Sequence, residues 1–285
     1  MRNCPRDFPV LAGIDFTSRP RRAKPITLAL GRGVAGGVVL ERLQLLPDFE
    51  AFAAWLRTPG PWLGAFDFPF GLPRELVLHL GWPLRWPELI AHYAALPREQ
   101  IRATFQNFCD SRPSGAKFAH RACDRPAGSS PSMKWVNPPV AFMLHAGAPL
   151  LLDSGVDLPG LHEGDANRVA LEGYPGLLAR ELIGSRSYKS DTKAQQDDGR
   201  RDARRSMIAV LEQGRTRLGL HLVLSRAQRL ALIADPAADQ LDAVLCLVQA
   251  AWCAARPDFG LPAHVDPLEG WIATAVQSNA ECHAE

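Results

Sequence analysis

The sequence predicts an α/β fold: a mixed five-stranded sheet, three antiparallel strands followed by parallel ones, flanked by helices and carrying a mostly helical insertion. Three observations predict it. The chain opens with short β-type runs joined by tight polar or Gly-rich links, the mark of an antiparallel meander. The run Trp62-Leu63-Gly64-Ala65-Phe66 is apolar without alternation, as a strand buried on both faces should be. A further strand-then-helix pair and a long apolar helix return only after a segment, about 74–165, that breaks the pattern.

Taken in order, the first β-type run extends from Phe8 to Thr17 and ends near Asp15. A basic turn, Ser18-Arg19-Pro20-Arg21-Arg22, leads to strands at Pro25–Leu30 and Gly37–Leu43. Asp48 is placed to cap a helix over Phe49–Leu56, where apolar residues recur at helical spacing. The buried strand at Trp62 then stops at Asp67-Phe68-Pro69-Phe70-Gly71-Leu72-Pro73. Within the insertion, helices are expected at Glu75–Leu80, Pro87–Leu96, Arg98–Phe108 and Val140–Leu151, with a loop-rich stretch from Ser111 to Pro139. A strand at Arg168–Glu172 follows, then a helix to about Ile183 and another at Asp202–Glu212. Asp235-Pro236 reads as the N-cap and first residue of a final helix through Leu241, Val244, Val248 and Trp252. Glu269–Ala273 reads as a short terminal strand.

With 285 residues the expectation is one domain, 1–285, with an inserted segment, and a chain long enough to bury a substantial core. A formal net charge of +2 makes no case for nucleic acid by itself. No run of about 18 apolar residues spans a bilayer, and the N-terminal residues lack a secretory apolar core, so a cytoplasmic protein is expected. The six cysteines have no paired short spacing; Cys109, His120 and Cys123 lack any knuckle pattern, so reduced structural thiols are expected rather than zinc.

The chemistry is concentrated in three acidic motifs: Gly13-Ile14-Asp15-Phe16, Phe66-Asp67-Phe68-Pro69 and Asp239-Gln240-Leu241-Asp242-Ala243. Each sets a carboxylate in, or at the end of, an apolar element, where charge is costly unless paired or metal-bound. Structural roles are open to some of them. Asp239 lies in a first helical turn, where the dipole favours an acid, and Asp67 before Phe-Pro can form a turn. Asp15 and Asp242, embedded in apolar sequence, are harder to explain that way.

The order of elements resembles the RNase-H-like fold, and Asp-x-x-Asp-Ala is similar to the last helix of RuvC-type junction resolvases. With Glu172-Gly173-Tyr174-Pro175, Ser187-Tyr188-Lys189 and Glu269-Gly270-Trp271-Ile272 added, nearly the whole chain resembles the domain-of-unknown-function 429 family, regarded as predicted RNase-H-like nucleases. The resemblance implies catalytic carboxylates at Asp15, Asp67, Asp239 and Asp242, all four as metal ligands. Glu172 would be a further ligand or would orient the water. One or two Mg²⁺ or Mn²⁺ ions are implied; two would lie about 3.5–4 Å apart, activate water and stabilise the leaving oxygen of a phosphodiester.

DNA or RNA is the expected partner, and basic residues are candidates for its phosphates: Arg19 and Lys24, then Lys117, Arg121 and Lys134 in the insertion, then Lys189, Lys193 and Arg204. Trp135 is placed to stack on a base. Asp191, Asp197, Asp198 and Asp202 interleave with the last group, which can equally be a self-paired solvated face. Gly13–Ser18 also looks like the first phosphate loop of actin-like ATPases and sugar kinases, but those need a second copy of the core with its own Asp-Gly loop. A non-catalytic scaffold that binds nucleic acid or protein is the third reading, and the intact carboxylate set argues against it. The insertion is expected to roof the carboxylates, with Lys117, Arg121 and Lys134 facing the cleft.

Overall fold

A computed structural model describes residues 8–276 of the chain; Cys4 and Cys282 lie outside them. The first strands are β1 (Val10–Asp15), β2 (Ile26–Val34) and β3 (Gly37–Leu46), an antiparallel meander. Helix α1 (Phe49–Leu56) follows, capped by the Asp48 carboxylate, which accepts from Ala51 N at 2.8 Å. Strand β4 (Trp62–Phe66) then pairs parallel with β1. The insertion contributes α2 (Arg74–His79), α3 (Trp86–Ala95), α4 (Arg98–Asp110), the single turn α5 (Asp124–Ala127) and α6 (Val140–Ser154). Strand β5 (Val156–Asp157) leads into β6 (Asp165–Glu172), which pairs parallel with β4. The chain closes with α7 (Pro175–Ile183), α8 (Asp198–Glu212), β7 (His221–Val223), α9 (Arg226–Ala234) and α10 (Asp239–Ala254).

The fold is α/β with a mixed sheet, but the sheet has seven strands rather than five, in the order β5-β6-β4-β1-β2-β3-β7. The extra strands are edge pieces of two and three residues, too short to carry an alternation signal. Helix α9 is likewise absent from the sequence-based reading, although a capping box at Ser225 and Gln228 marks its start. The expected terminal strand is a single parallel bridge between Ile272 and Glu172, with Ala273 N donating to Glu172 O at 2.7 Å. Asp235 is also not the N-cap of the last helix. It ends α9, and its carboxylate accepts from Ala237 N and Gln240 N across the turn into α10. Ala238, in the left-handed region at φ 58°, makes that turn.

Alternation along the strands divides the core in two. Ala12, Ile14 and Phe16 face α1 and the insertion, joining one continuous cluster with Phe52, Trp86 and Phe105. The insertion therefore shares the core of the sheet. Leu11, Leu63 and Ala65 face the other way, towards α7, α8, α9 and α10. Among the described residues no helix is long and apolar enough to cross a membrane.

Helix α10 is buried on nearly all sides, which accounts for its unbroken apolar sequence from Leu241 to Val248 with the exceptions of Asp242 and, just beyond, Gln249. It lies directly on β1. A Cβ built at Gly13 would sit 2.0 Å from Ala243 O and 2.1 Å from Leu247 N, so helix and strand touch backbone to backbone. Only glycine permits that approach. Gly13→Ala is expected to cost at least about 3 kcal/mol, an overpacking penalty against rigid backbone. A urea-unfolding midpoint equal to wild type would contradict this packing.

Candidate functional site

Parallel pairing of β1 with β4 sets Asp15 and Asp67 side by side at adjacent strand ends, with Asp67 N donating to Ile14 O at 2.9 Å. By the same alternation both lie on the sheet face that carries Gly13, Leu63 and Ala65. Helix α10 crosses that face and starts beside them, bringing in Asp239 as its first residue and Asp242 one turn further. A cavity of about 490 Å³ opens past the strand ends, and Asp15, Asp67, Asp239 and Glu172 all line it, with Lys24 and Lys189. Open parallel sheets bind ligands at this end. From the insertion, Ser129, Pro138, Pro139, Val140 and Met143 supply the opposite wall.

The carboxylates are in electrostatic conflict. Asp15 and Asp67 reach the cavity, yet dense protein surrounds them. Burial is the first cause raising Asp15 well above its ordinary value, followed by the charges of Asp242, Asp67 and Asp239. Burial likewise pushes Asp67 up to about 7; Lys189 pulls it down, while Asp242 and Glu172 push it up. Asp239 is raised by burial, opposed by Lys24. Among the described residues neither the Asp15 nor the Asp67 side chain accepts a hydrogen bond, unlike Asp242 and Glu172.

Asp242 is different. It is fully buried, accepts from Tyr188 Oη at 2.6 Å and is ion-paired with the Lys189 ammonium. That carboxylate holds Lys189 well above the ordinary lysine value. Arg204 fixes the segment from behind, donating to Tyr188 O at 2.7 Å and Ile233 O at 2.9 Å.

Glu172 belongs to a second, closed unit. Alternation along β6 turns it with Ala170 towards the insertion, away from the face of Asp15 and Asp67. There it accepts from Phe70 N at 3.0 Å and from both Nη atoms of Arg121 at 2.7 Å. Arg121 also donates to Asp124 from Nε and Nη2 and to Glu269 O from Nη1. All five of its N–H groups are thereby used.

These contacts correct several expectations for phosphate binding. Arg121 lines the cavity but has no donor left for a phosphate, and Arg204 is a buried prop. Lys117, Lys134, Lys193 and Arg19 do not line the cavity; Lys117 is exposed, with Asp110 4.0 Å away. Trp135 packs on Phe118, ring centroids 5.5 Å apart, instead of facing the cleft. Lys24 and Lys189 do line it, each beside an acid: Lys24 pairs with Asp191 at 2.7 Å. Two residues were not identified as site residues from the sequence. Tyr188 stood in the Ser-Tyr-Lys motif, yet nothing local tied its hydroxyl to Asp242. Thr27, opposite Asp15 in register, carries a buried hydroxyl without a hydrogen-bond partner among the described residues.

Among the described residues no three His, Cys, Asp or Glu side chains are gathered closely enough to form a metal-ligand group by themselves. The ligand set is nevertheless hard oxygen, with two adjacent carboxylates, Asp15 and Asp67, that among the described residues accept no hydrogen bond. Magnesium commonly binds through one or two carboxylates, waters and substrate phosphates, without an all-protein cage. Asp15 and Asp67 suit that mode. The chain matches no protein-family model, no curated protein and no solved structure.

Two predictions follow from the contrast between the open and closed units. Because the folded value of Asp67 is raised from 3.8 to about 7, the folded protein holds a proton that the unfolded chain releases. The contribution of Asp67 to the stability of the metal-free protein is therefore full below about pH 4, is lost as pH rises to about 7, and is flat above. Asp67→Asn should flatten that slope and stabilise the protein at pH 8 by on the order of 1–4 kcal/mol, as read by thermal melts across pH. Conversely, Arg121→Ala strands Asp124 and Glu172 without their buried cation and should cost about 3–5 kcal/mol in chemical denaturation. A loss below about 1 kcal/mol would mean that water replaces the guanidinium.

Proposed function

We propose that this chain is a divalent-metal-dependent hydrolase of phosphodiester bonds in nucleic acid, built on an RNase-H-like core. The observation that carries the reading is the Asp15–Asp67 pair: two adjacent strand-end carboxylates lining a cavity, each raised by burial and by neighbouring acids, Asp242 among them. Such an arrangement is unfavourable by itself and is relieved by a cation. The central strands β3-β2-β1-β4-β6, antiparallel and then parallel, support the architecture, with β5 and β7 as additions at the edges.

Asp15 and Asp67 would hold Mg²⁺ or Mn²⁺, with Asp239 nearby on the cavity wall. Bound there, the ion supplies positive charge against phosphoryl oxygens and a more acidic water. The side chains do the rest. Asp242, held by Tyr188 and Lys189, keeps the Lys189 ammonium in the site, where N–H groups not used on Asp242 are available to a phosphate oxygen. Lys24 offers a second cation in the cavity lining, beside Asp239 and Asp191. Pro138, Pro139, Val140 and Met143 form an apolar wall that limits water around the reacting group. Glu172 acts as an anchor for Arg121, not as a ligand, since its oxygens are taken by Phe70 N and the guanidinium.

The test is cleavage of single- and double-stranded DNA and RNA by purified protein with Mg²⁺ or Mn²⁺. Asp15→Asn should lower the rate by about 10³-fold or more while preserving the circular dichroism spectrum. Mn²⁺ should also raise the melting temperature of wild type but not of Asp15→Asn, with reversal by a chelator. Equal cleavage by both proteins, or cation stabilisation indifferent to Asp15, would overturn the reading.

A further inference from the structure

A second recess borders Asp67 and has no part in the reading above. It has a volume of about 390 Å³ and lies along α7 from Pro175 to Ile183, lined also by Tyr174, Gly184, Arg186 and Tyr188. Asp67, Tyr174 and Lys189 line both this recess and the main cavity, so the two meet at Asp67, the strand-end partner of Asp15. Space is thus available on both sides of the position where a phosphate would react.

The chemistry of the two sides differs. The main cavity has the apolar wall from the insertion together with most of the acidic groups. The α7 recess has one carboxylate, Asp67, at the shared boundary, and carries two arginines. Arg180 is committed: it lies over the Tyr174 ring and donates to Tyr174 Oη and Ala127 O. Arg186 is not. It is exposed, and among the described residues its guanidinium makes one hydrogen bond, from Nε to Ile183 O at 3.3 Å. Both Nη groups remain for a ligand, and the fork geometry suits a phosphate. At Gly184, φ 64°, a Cβ would meet nothing within 4 Å, so the approach beside Arg186 is unobstructed.

We infer that the α7 recess seats the part of a single-stranded nucleic acid that lies beyond the scissile phosphate, with Arg186 gripping the next backbone phosphate. The inference rests on the hydrolase reading for the position of that scissile phosphate and deepens it by naming the strandedness of the substrate. A single strand can bend its flexible backbone through two joined recesses, each about the size of a small-ligand pocket. A duplex cannot enter both without unpairing. A mononucleotide would fill only one.

The probe is a fluorescein-labelled 12-nucleotide single strand, with the matching duplex and a mononucleotide as competitors. Binding is read by anisotropy in the Asp15→Asn background, so the strand is not consumed. Arg186→Ala should weaken strand binding about tenfold and lower the salt slope by about one phosphate contact, with partial recovery in Arg186→Lys. Mononucleotide affinity should stay within about twofold. Unchanged strand affinity and salt slope, tighter binding of the duplex, or no strand binding at all would overturn the inference. Arg186-dependent strand binding without cleavage by wild type would sustain the recess and sink the hydrolase reading. Cleavage of a chromogenic nucleotide ester with Arg186-independent strand binding would do the reverse.

Discussion

Backbone contact between α10 and β1 is the constraint on which the site depends. Where Gly13 lets the helix touch the strand, the residues at fixed offsets from that contact are placed with little freedom. Two residues along β1 is Asp15; at and just inside the start of the helix are Asp239 and Asp242. The parallel hydrogen bonds between β1 and β4 then bring Asp67 alongside. A side chain at position 13 would lift the helix and disperse the four carboxylates. Rigid elements hold these groups better than loops can, which matters because the groups repel one another.

The sheet separates two clusters of charge with opposite characters. On the insertion side, Arg121, Asp124 and Glu172 form a network with its guanidinium donors fully used, and it ties α5 and the end of β6 to the C-terminal segment. On the α10 side, Asp242 is satisfied by Tyr188 and Lys189, while Asp15 and Asp67 are desolvated with no hydrogen-bond donor among the described residues. Buried ion networks are common structural devices, whereas buried acids facing a cavity without partners are difficult to explain as structure. That contrast, more than acidity itself, distinguishes the candidate reactive groups from Glu172.

Lys189 gives the open cluster an internal cation. Its ammonium is held by Asp242, and Arg204 braces the same segment through the Tyr188 carbonyl. The segment thus carries positive charge into a site where Lys24, paired with Asp191, is the other lysine. Of the basic residues expected to act from the insertion, Arg121 has its donors spent and Lys117 and Lys134 do not line the cavity.

Much of the fold was legible in local sequence. The meander, the unalternated β4, α1 with its Asp48 cap and the insertion helices all follow from periodicity and capping, which act over a few residues. Asp15, Asp67, Asp239 and Asp242 could be singled out because a charge in an apolar element is conspicuous in one dimension. Partnerships could not. Arg121 and Arg204 read as phosphate binders, but apart from Asp124, three residues on, the partners of Arg121 lie 51 and 148 residues away and those of Arg204 16 and 29 away. The short edge strands, the turn at Ala238 that displaced the start of α10, and the face on which Glu172 lies were likewise settled by packing. Local patterns determine which elements form and which residues are costly to bury. Only the tertiary structure decided which charges are neutralised and which remain exposed to the cavity, because Coulomb and hydrogen-bond energies depend on distances in space that sequence separation does not encode.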